Sequence, residues 1–550
     1  MRIISGGVFS AGRVVMAGRS GRLFGALVFL ALAVLFPGGL SAQGPVDGDS
    51  MVGASIGDAS NFIPAFSSDT ASSAVVNDAY PGLVKFDKDL NLAGDLAESW
   101  EFGEDQRIVT FKLRPGVKWF DGAPFTAEDC VFTWKLMSDP DTPTAYGEHF
   151  AQIESAEAVD ELTFRVTYKR VMASELTTWS FSIMPKHLLD GVDFDESPLA
   201  RTTVGTGPYQ LESWETAQRI VTRANPGYYD GRPHIDRQIT KIIPDMTTQM
   251  MELATGGIDL MIMEPDQWVD AQNNKNLKQS YDFYTQPSFS YAYLGFNLRD
   301  PRFTDVRVRQ AIAYAIDKDE IIEGVLLGFG QKANGPFRPE MWANNKNVPP
   351  IPFEPDRAKA LLAEAGWTDA DGDGVVEKNG EKFVLTIMTN QGNRVREMTL
   401  LVIQARLKDV GIEVRPKIVE WAAFLKEYLD KHDFEAIIMG WTIPLDPDLF
   451  DVWNSKKTNP GELNFASYAN EEVDELIDAG RFNVDQEIRK KAYDRIQEIF
   501  REEVPYVFLY VPESLIALNK RFVGPNPAPA GLFHDFPKWY VPLDRQLYKQ

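Results

Sequence analysis

The sequence predicts an α/β protein, and two observations carry that reading. Before about residue 295 the chain shows strand-like alternation, turn residues and aromatics; after it, helices with an apolar stripe alternate with short apolar strands. From Phe383 onward the order is strand, helix, strand, helix, strand, a spacing that implies right-handed crossovers and a largely parallel sheet.

The elements follow in order. Arg2, Arg13, Arg19 and Arg22 precede or flank an apolar run from Leu23 to Phe36, and no acid occurs before Asp47. A membrane span needs about 20 residues to cross a core of roughly 30 Å, so this run reads as a cleavable signal peptide over residues 1–43, ending near Ala42. Gln43 stands where lipid attachment needs a cysteine, so the expected mature protein is unlipidated and periplasmic. Removing the leader removes four arginines and no acid, which takes the net charge from −23 to −27. Such a charge repels nucleic acid and anionic membranes. Cys130 is the single cysteine, which excludes an internal disulfide, and beside Val131 and Phe132 it reads as a buried structural thiol.

Val109, Phe111 and Leu113 alternate with Thr110, Lys112 and Arg114, the period of a half-buried strand. Pro115-Gly116 and Asp121-Gly122 turn the chain, and Thr126-x-x-Asp129 starts a helix. Asp305 to Ile316 has helical spacing, Asp317-x-x-Glu320 opens a second helix, and Gly328 stops it. Phe383–Met388, Ile412–Val419 and Phe434–Trp441 are strands, separated by helices at Arg394–Asp409 and Trp421–Leu429. Ligands bind outside the carboxyl ends of such strands, and Gly440-Trp441-Thr442-Ile443-Pro444-Leu445-Asp446-Pro447 lies at one of them.

The block from Leu92 to Met137, LAGDLAESWEFGEDQRIVTFKLRPGVKWFDGAPFTAEDCVFTWKLM, resembles the signature of the family 5 extracellular solute-binding proteins. These are the peptide-, nickel- and oligosaccharide-capturing subunits of ABC importers. Gly205-Thr206-Gly207-Pro208-Tyr209, Asn225-Pro226-x-Tyr228-Tyr229, Phe289 to Asn297, Gly335-Pro336-Phe337-x-Pro339 and Asn464-Phe465-x2-Tyr468 continue the likeness over most of the chain. The resemblance implies a two-lobed periplasmic-binding-protein-like fold with three domains and an interlobe cleft. It divides the chain into domain I (44–87, 205–294 and 506–550), domain II (88–204) and domain III (295–505). It implies no catalysis and no cofactor, an ABC permease and ATPase as partners, no nucleic-acid partner, and a monomer that closes on its ligand.

The same resemblance makes Trp441 and Trp421 cleft aromatics, with Tyr291 and Tyr293 also facing the cleft. Members that bind dipeptides place an aspartate three residues after the Gly-Trp tryptophan to hold the ligand's amine. Pro444 stands there instead, with Asp446 nearby as a substitute or as a plain Asp-Pro turn. An oligopeptide is therefore the expected ligand, with an oligosaccharide as the alternative, since both need stacking faces and backbone hydrogen bonds.

Two short motifs carry other chemistries. Gly53-Ala54-Ser55-Ile56-Gly57 matches G-x-S-x-G, a serine hydrolase motif that needs a helix after its turn; Asp58 to Pro64 is poor helix material, and His149, His187, His234, His432 and His534 have no recognisable partner context. Asp369, Asp371 and Asp373 alternate like the start of a calcium loop, but Gly380 holds the position of the bidentate glutamate. A turn before the Phe383 strand is the preferred reading there.

Overall fold

The computed structural model describes residues 44–548, apart from 68, 145, 195 and 444. The expected leader therefore lies outside the described residues, as does Pro444. Among those described, no helix is long and apolar enough to cross a membrane.

Among the described residues, three sheets of four or more strands organise the fold. In the first, Ser50–Ser55 runs parallel to Arg237–Ile242, followed antiparallel by Arg219–Ala224 and Tyr209–Glu215. The second is fully antiparallel, in the order Ala97–Phe102, Ile108–Leu113, Thr163–Tyr168, Ile153–Asp160. Val109, Phe111 and Leu113 point into its core, as their alternation requires. The Ala127–Ser138 helix packs nearby and opens on a capping box, in which Asp129 Oδ2 accepts the Thr126 N–H at 2.9 Å. Cys130 is fully buried on this helix, and burial pushes its thiol well above the usual range.

The third sheet is the largest. Its path is Leu260–Ile262, Tyr506–Asn519, Ser290–Phe296, Ala436–Thr442, Val384–Asn390, Glu413–Val419. Only the last three strands are mutually parallel; Ser290–Phe296 pairs antiparallel with both Ala436–Thr442 and the Tyr506–Asn519 strand. The sheet is thus mixed, not largely parallel. The parallel unit recognised from Phe383 is real, but the crossover pattern carries no information about which distant strand completes its edge.

Both faces of this sheet are covered. Ala292, Leu294 and Phe296 pack with Ile312, Leu400 and Ile403 on one side. Tyr291 and Tyr293 pack with Trp453, Tyr493 and Phe500 on the other.

The Tyr506–Asn519 strand belongs to two regions at once. Residues up to Pro512 pair with Ser290–Phe296 and Gly330–Lys332, whereas Glu513 onward pairs with Tyr281–Pro287 and Leu260–Ile262. The chain passes between these regions at Ser288 and at Pro512, side by side, where the Ser288 N–H donates to the Pro512 carbonyl at 3.1 Å. The expected domain limits at 294/295 and 505/506 fall within this strand arrangement. They cut off strands whose hydrogen bonds lie with the 384–442 unit, because period-2 alternation fixes a strand's faces and not its neighbours.

Candidate functional site

The Glu413–Val419 and Ala436–Thr442 strands flank Val384–Asn390 on opposite sides. Successive connections therefore diverge at the carboxyl end of the central strand, leaving a crevice at which ligands bind in open α/β sheets. Trp421 follows the first flanking strand and Trp441 closes the second.

Glu420 caps the turn that carries Trp421, its two carboxylate oxygens accepting the Ala422 and Ala423 N–H groups at 3.0 Å each. The expected Trp421–Leu429 helix continues as a π-helical turn over Phe424–Leu429, which widens the backbone beside the indole. The Trp421 ring is half-buried. It faces Gly57, beyond the end of the first strand of the chain, so closely that a methyl group there would meet its Cδ1 at 3.4 Å.

Trp441 is also half-buried, stacked on Phe465 with centroids 5.3 Å apart and parallel to Tyr293 at 6.5 Å. Tyr291 and Tyr293 lie in the interior of the sheet packing. They are 3% and 0% exposed, and Tyr293 stacks on Tyr506 at 4.0 Å and 9°. Their strand is central in a sheet covered on both faces, so neither parity of residue reaches solvent there. Burial drives both phenols well above the usual range. Asp446 is held by Arg489 at 2.6 Å, and the same guanidinium reaches the Pro447 carbonyl at 3.3 Å. The carboxylate thus ties its loop to the Gln486–Glu503 helix.

The family model for the bacterial extracellular solute-binding proteins, family 5, matches residues 91–462. The chain belongs to that family. It is 34% identical over 510 residues to the oligopeptide-binding protein AppA of Bacillus subtilis, covering 91% of this chain and 93% of AppA. It is 30% identical over 486 residues to heme-binding protein A of Haemophilus influenzae, covering 84% of this chain and 87% of that protein. The solved structure of Bacillus subtilis AppA in complex with a nonapeptide aligns with a TM-score of 0.85 and 32% identity, covering 90% of this chain and all of that one. The α/β, two-lobed family fold is thereby this chain's fold.

In this family 5 chain the sequence reading missed a set of polar residues at the same strand end. Arg396 Nη1 donates to Asn390 Oδ1 at 2.8 Å, and its other nitrogen lies against Gly440, where a Cβ would come within 3.0 Å. Burial lowers the guanidinium's proton affinity. Opposite it, Arg394 pairs with Asp266 at 3.0 Å, and Gly392, at φ +86°, lies where a Cβ would be 2.9 Å from the Pro244 carbonyl. Glu264 beside them is pushed up to about 7, first by burial and then by Asp266. The available signal was the Asn390-x5-Arg396 spacing between a strand end and a helix start.

The remaining motifs are occupied locally. The Ser55 hydroxyl donates to the Gly57 carbonyl at 2.7 Å, and its strand runs into a loop, whereas a nucleophile elbow turns sharply into a helix. Asp369, Asp371 and Asp373 bring carboxylate oxygens within 4.8 Å of one another, all exposed. Lys382 pairs with Asp371 at 3.1 Å and with Asp373, while Asp369 accepts the Gly372 and Gly374 N–H groups. Those bonds make a turn braced by one lysine and by backbone N–H groups. Two cavities, of about 410 and 330 Å³, touch neither tryptophan.

Proposed function

We propose that this protein is the solute-capturing subunit of an ABC importer, binding oligopeptides in the periplasm and delivering them to a membrane permease and its ATPase. The supporting observation is the combination of 34% identity to an oligopeptide-binding protein with the same fold as a nonapeptide-bound relative, each over nine-tenths of the chain. Trp421 and Trp441 stand at strand ends on either side of Val384–Asn390 with half-buried rings, suited to stacking on a ligand whose backbone is hydrogen-bonded between the lobes. Asp446 is engaged by Arg489, so recognition makes weak demand on a free ligand amine. The division into three domains goes with this reading, with crossings at Ser288 and Pro512. Binding proceeds without turnover, by a monomer that leaves the membrane unlipidated after leader removal.

Native mass spectrometry of material co-purifying with the protein tests the ligand class. A mixture of oligopeptides of varied sequence is the expected result. Recovery of sugars alone, of heme alone, or of a narrow set of dipeptides overturns it.

A further inference from the structure

The inserted domain and the second lobe also meet through residues other than the two strand-end tryptophans. The segment after the Thr163–Tyr168 strand reaches the carboxyl end of the Glu471–Arg481 helix, where the Ala173 N–H donates to the Arg481 carbonyl at 2.7 Å. That carbonyl is one of the last in its helix, which have no partner within the helix itself. Arg170 lies 3.4 Å from Asp478, with its guanidinium carbon 3.0 Å from the Phe482 ring centroid. Arg481 adds a second arm. Its side chain is 1% exposed, bonded to Asp448 at 3.1 Å within its own lobe and 3.8 Å from Glu148 of the inserted domain. Neither of its terminal nitrogens has a hydrogen-bond partner among the described residues. The arginine is therefore committed to the interface electrostatically and not by a saturated network.

We propose that Arg170 and Ala173 of the inserted domain, with Asp478, Arg481 and Phe482 of the second lobe, form a latch that favours lobe closure before ligand arrives. None of these contacts involves the strand-end residues of the site, so ligand is not needed to make them. A ligand that binds the closed form has an apparent dissociation constant equal to its intrinsic one divided by the closed fraction, so latch strength sets affinity from a distance. This second clause rests on the solute-binding reading above; the first does not.

The Arg170→Ala variant removes the exposed arm, its ion pair and its cation–π contact together, and leaves buried Arg481 and partly buried Phe482 in place. Asp478→Arg, which sets like charges against Arg170, is an independent second variant. Small-angle scattering of the ligand-free proteins is expected to show a larger radius of gyration for both variants than for wild type, at unchanged melting temperature. Affinity for a fixed nonapeptide probe is expected to fall about three- to thirtyfold, the range of one exposed cation–π contact plus an ion pair. Ligand-free wild type already as open as the variants, or variants that scatter like wild type, overturns the latch. If wild type binds no nonapeptide, the oligopeptide reading fails while the scattering comparison still decides the latch.

Discussion

Trp421 and Tyr293 show what a single aromatic does in two environments. Tyr293 is sealed in a stack with Tyr506, and its truncation to alanine opens a cavity; large aromatic deletions of this kind cost about 3–5 kcal/mol. Trp421 rests half-exposed against Gly57, so alanine there removes a ligand platform and little core. We expect Tyr293→Ala to lower the melting temperature of ligand-free protein strongly. Trp421→Ala is expected to shift melting little while weakening peptide binding in calorimetry. The opposite pattern would exchange the two roles. Sequence could not have separated them, because an aromatic's parity on a strand says which face it takes and not whether a second layer covers that face. The surroundings of Asp446 were hidden for a related reason. Its partner Arg489 is 43 residues away, on a helix whose position depends on the whole lobe.

At the scale of elements, local chemistry was legible where the signal is local. The Thr126/Asp129 capping box, the buried alternation of Val109, Phe111 and Leu113, and the Asp305 and Asp317 helix starts are all present in the structure. Each depends on residues within one turn or one strand. The parallel unit after Phe383 was legible from spacing, and its strand ends do carry the two tryptophans. What could not be read was pairing between distant segments. Nothing in Ser290–Phe296 announces that Ala436–Thr442 lies beside it, and nothing near Pro512 marks one strand as serving two sheets' worth of partners. Nor did spacing reveal the Arg394–Asp266 pair, whose members lie far apart in the chain.

Across the whole molecule, buried ionisable groups give stability a distinctive dependence on pH. Burial raises Glu175 to about 7, Glu264 to about 7 and Asp78 to about 6. An acid with a raised folded pKa keeps its proton longer in the native state, so stability falls as pH rises from the unfolded pKa through the folded one. Burial lowers Lys318 to about 7, so the unfolded chain binds the extra proton above that pH and stability recovers toward the ordinary lysine pKa. Carboxylates with depressed pKa values, such as Glu212, act only below this window. We expect melting temperature to fall from pH 5 to 7 and rise again toward pH 9, with Glu175→Gln flattening the acid limb; a profile that climbs steadily through pH 7 would contradict these assignments. The long Tyr506–Asn519 strand has a further consequence, in the order of synthesis. The largest sheet lacks an internal strand until the final residues emerge, and Arg521, buried between Asp49 and Asp259, joins the start of the described chain to its end. A chain stopped after residue 505 should consequently be digested rapidly by protease while the full chain resists. Until synthesis passes that strand the largest sheet cannot seal, so the segments that flank it stay open and threadable through a narrow channel, while the sheet of residues 97–168 already has all its strands.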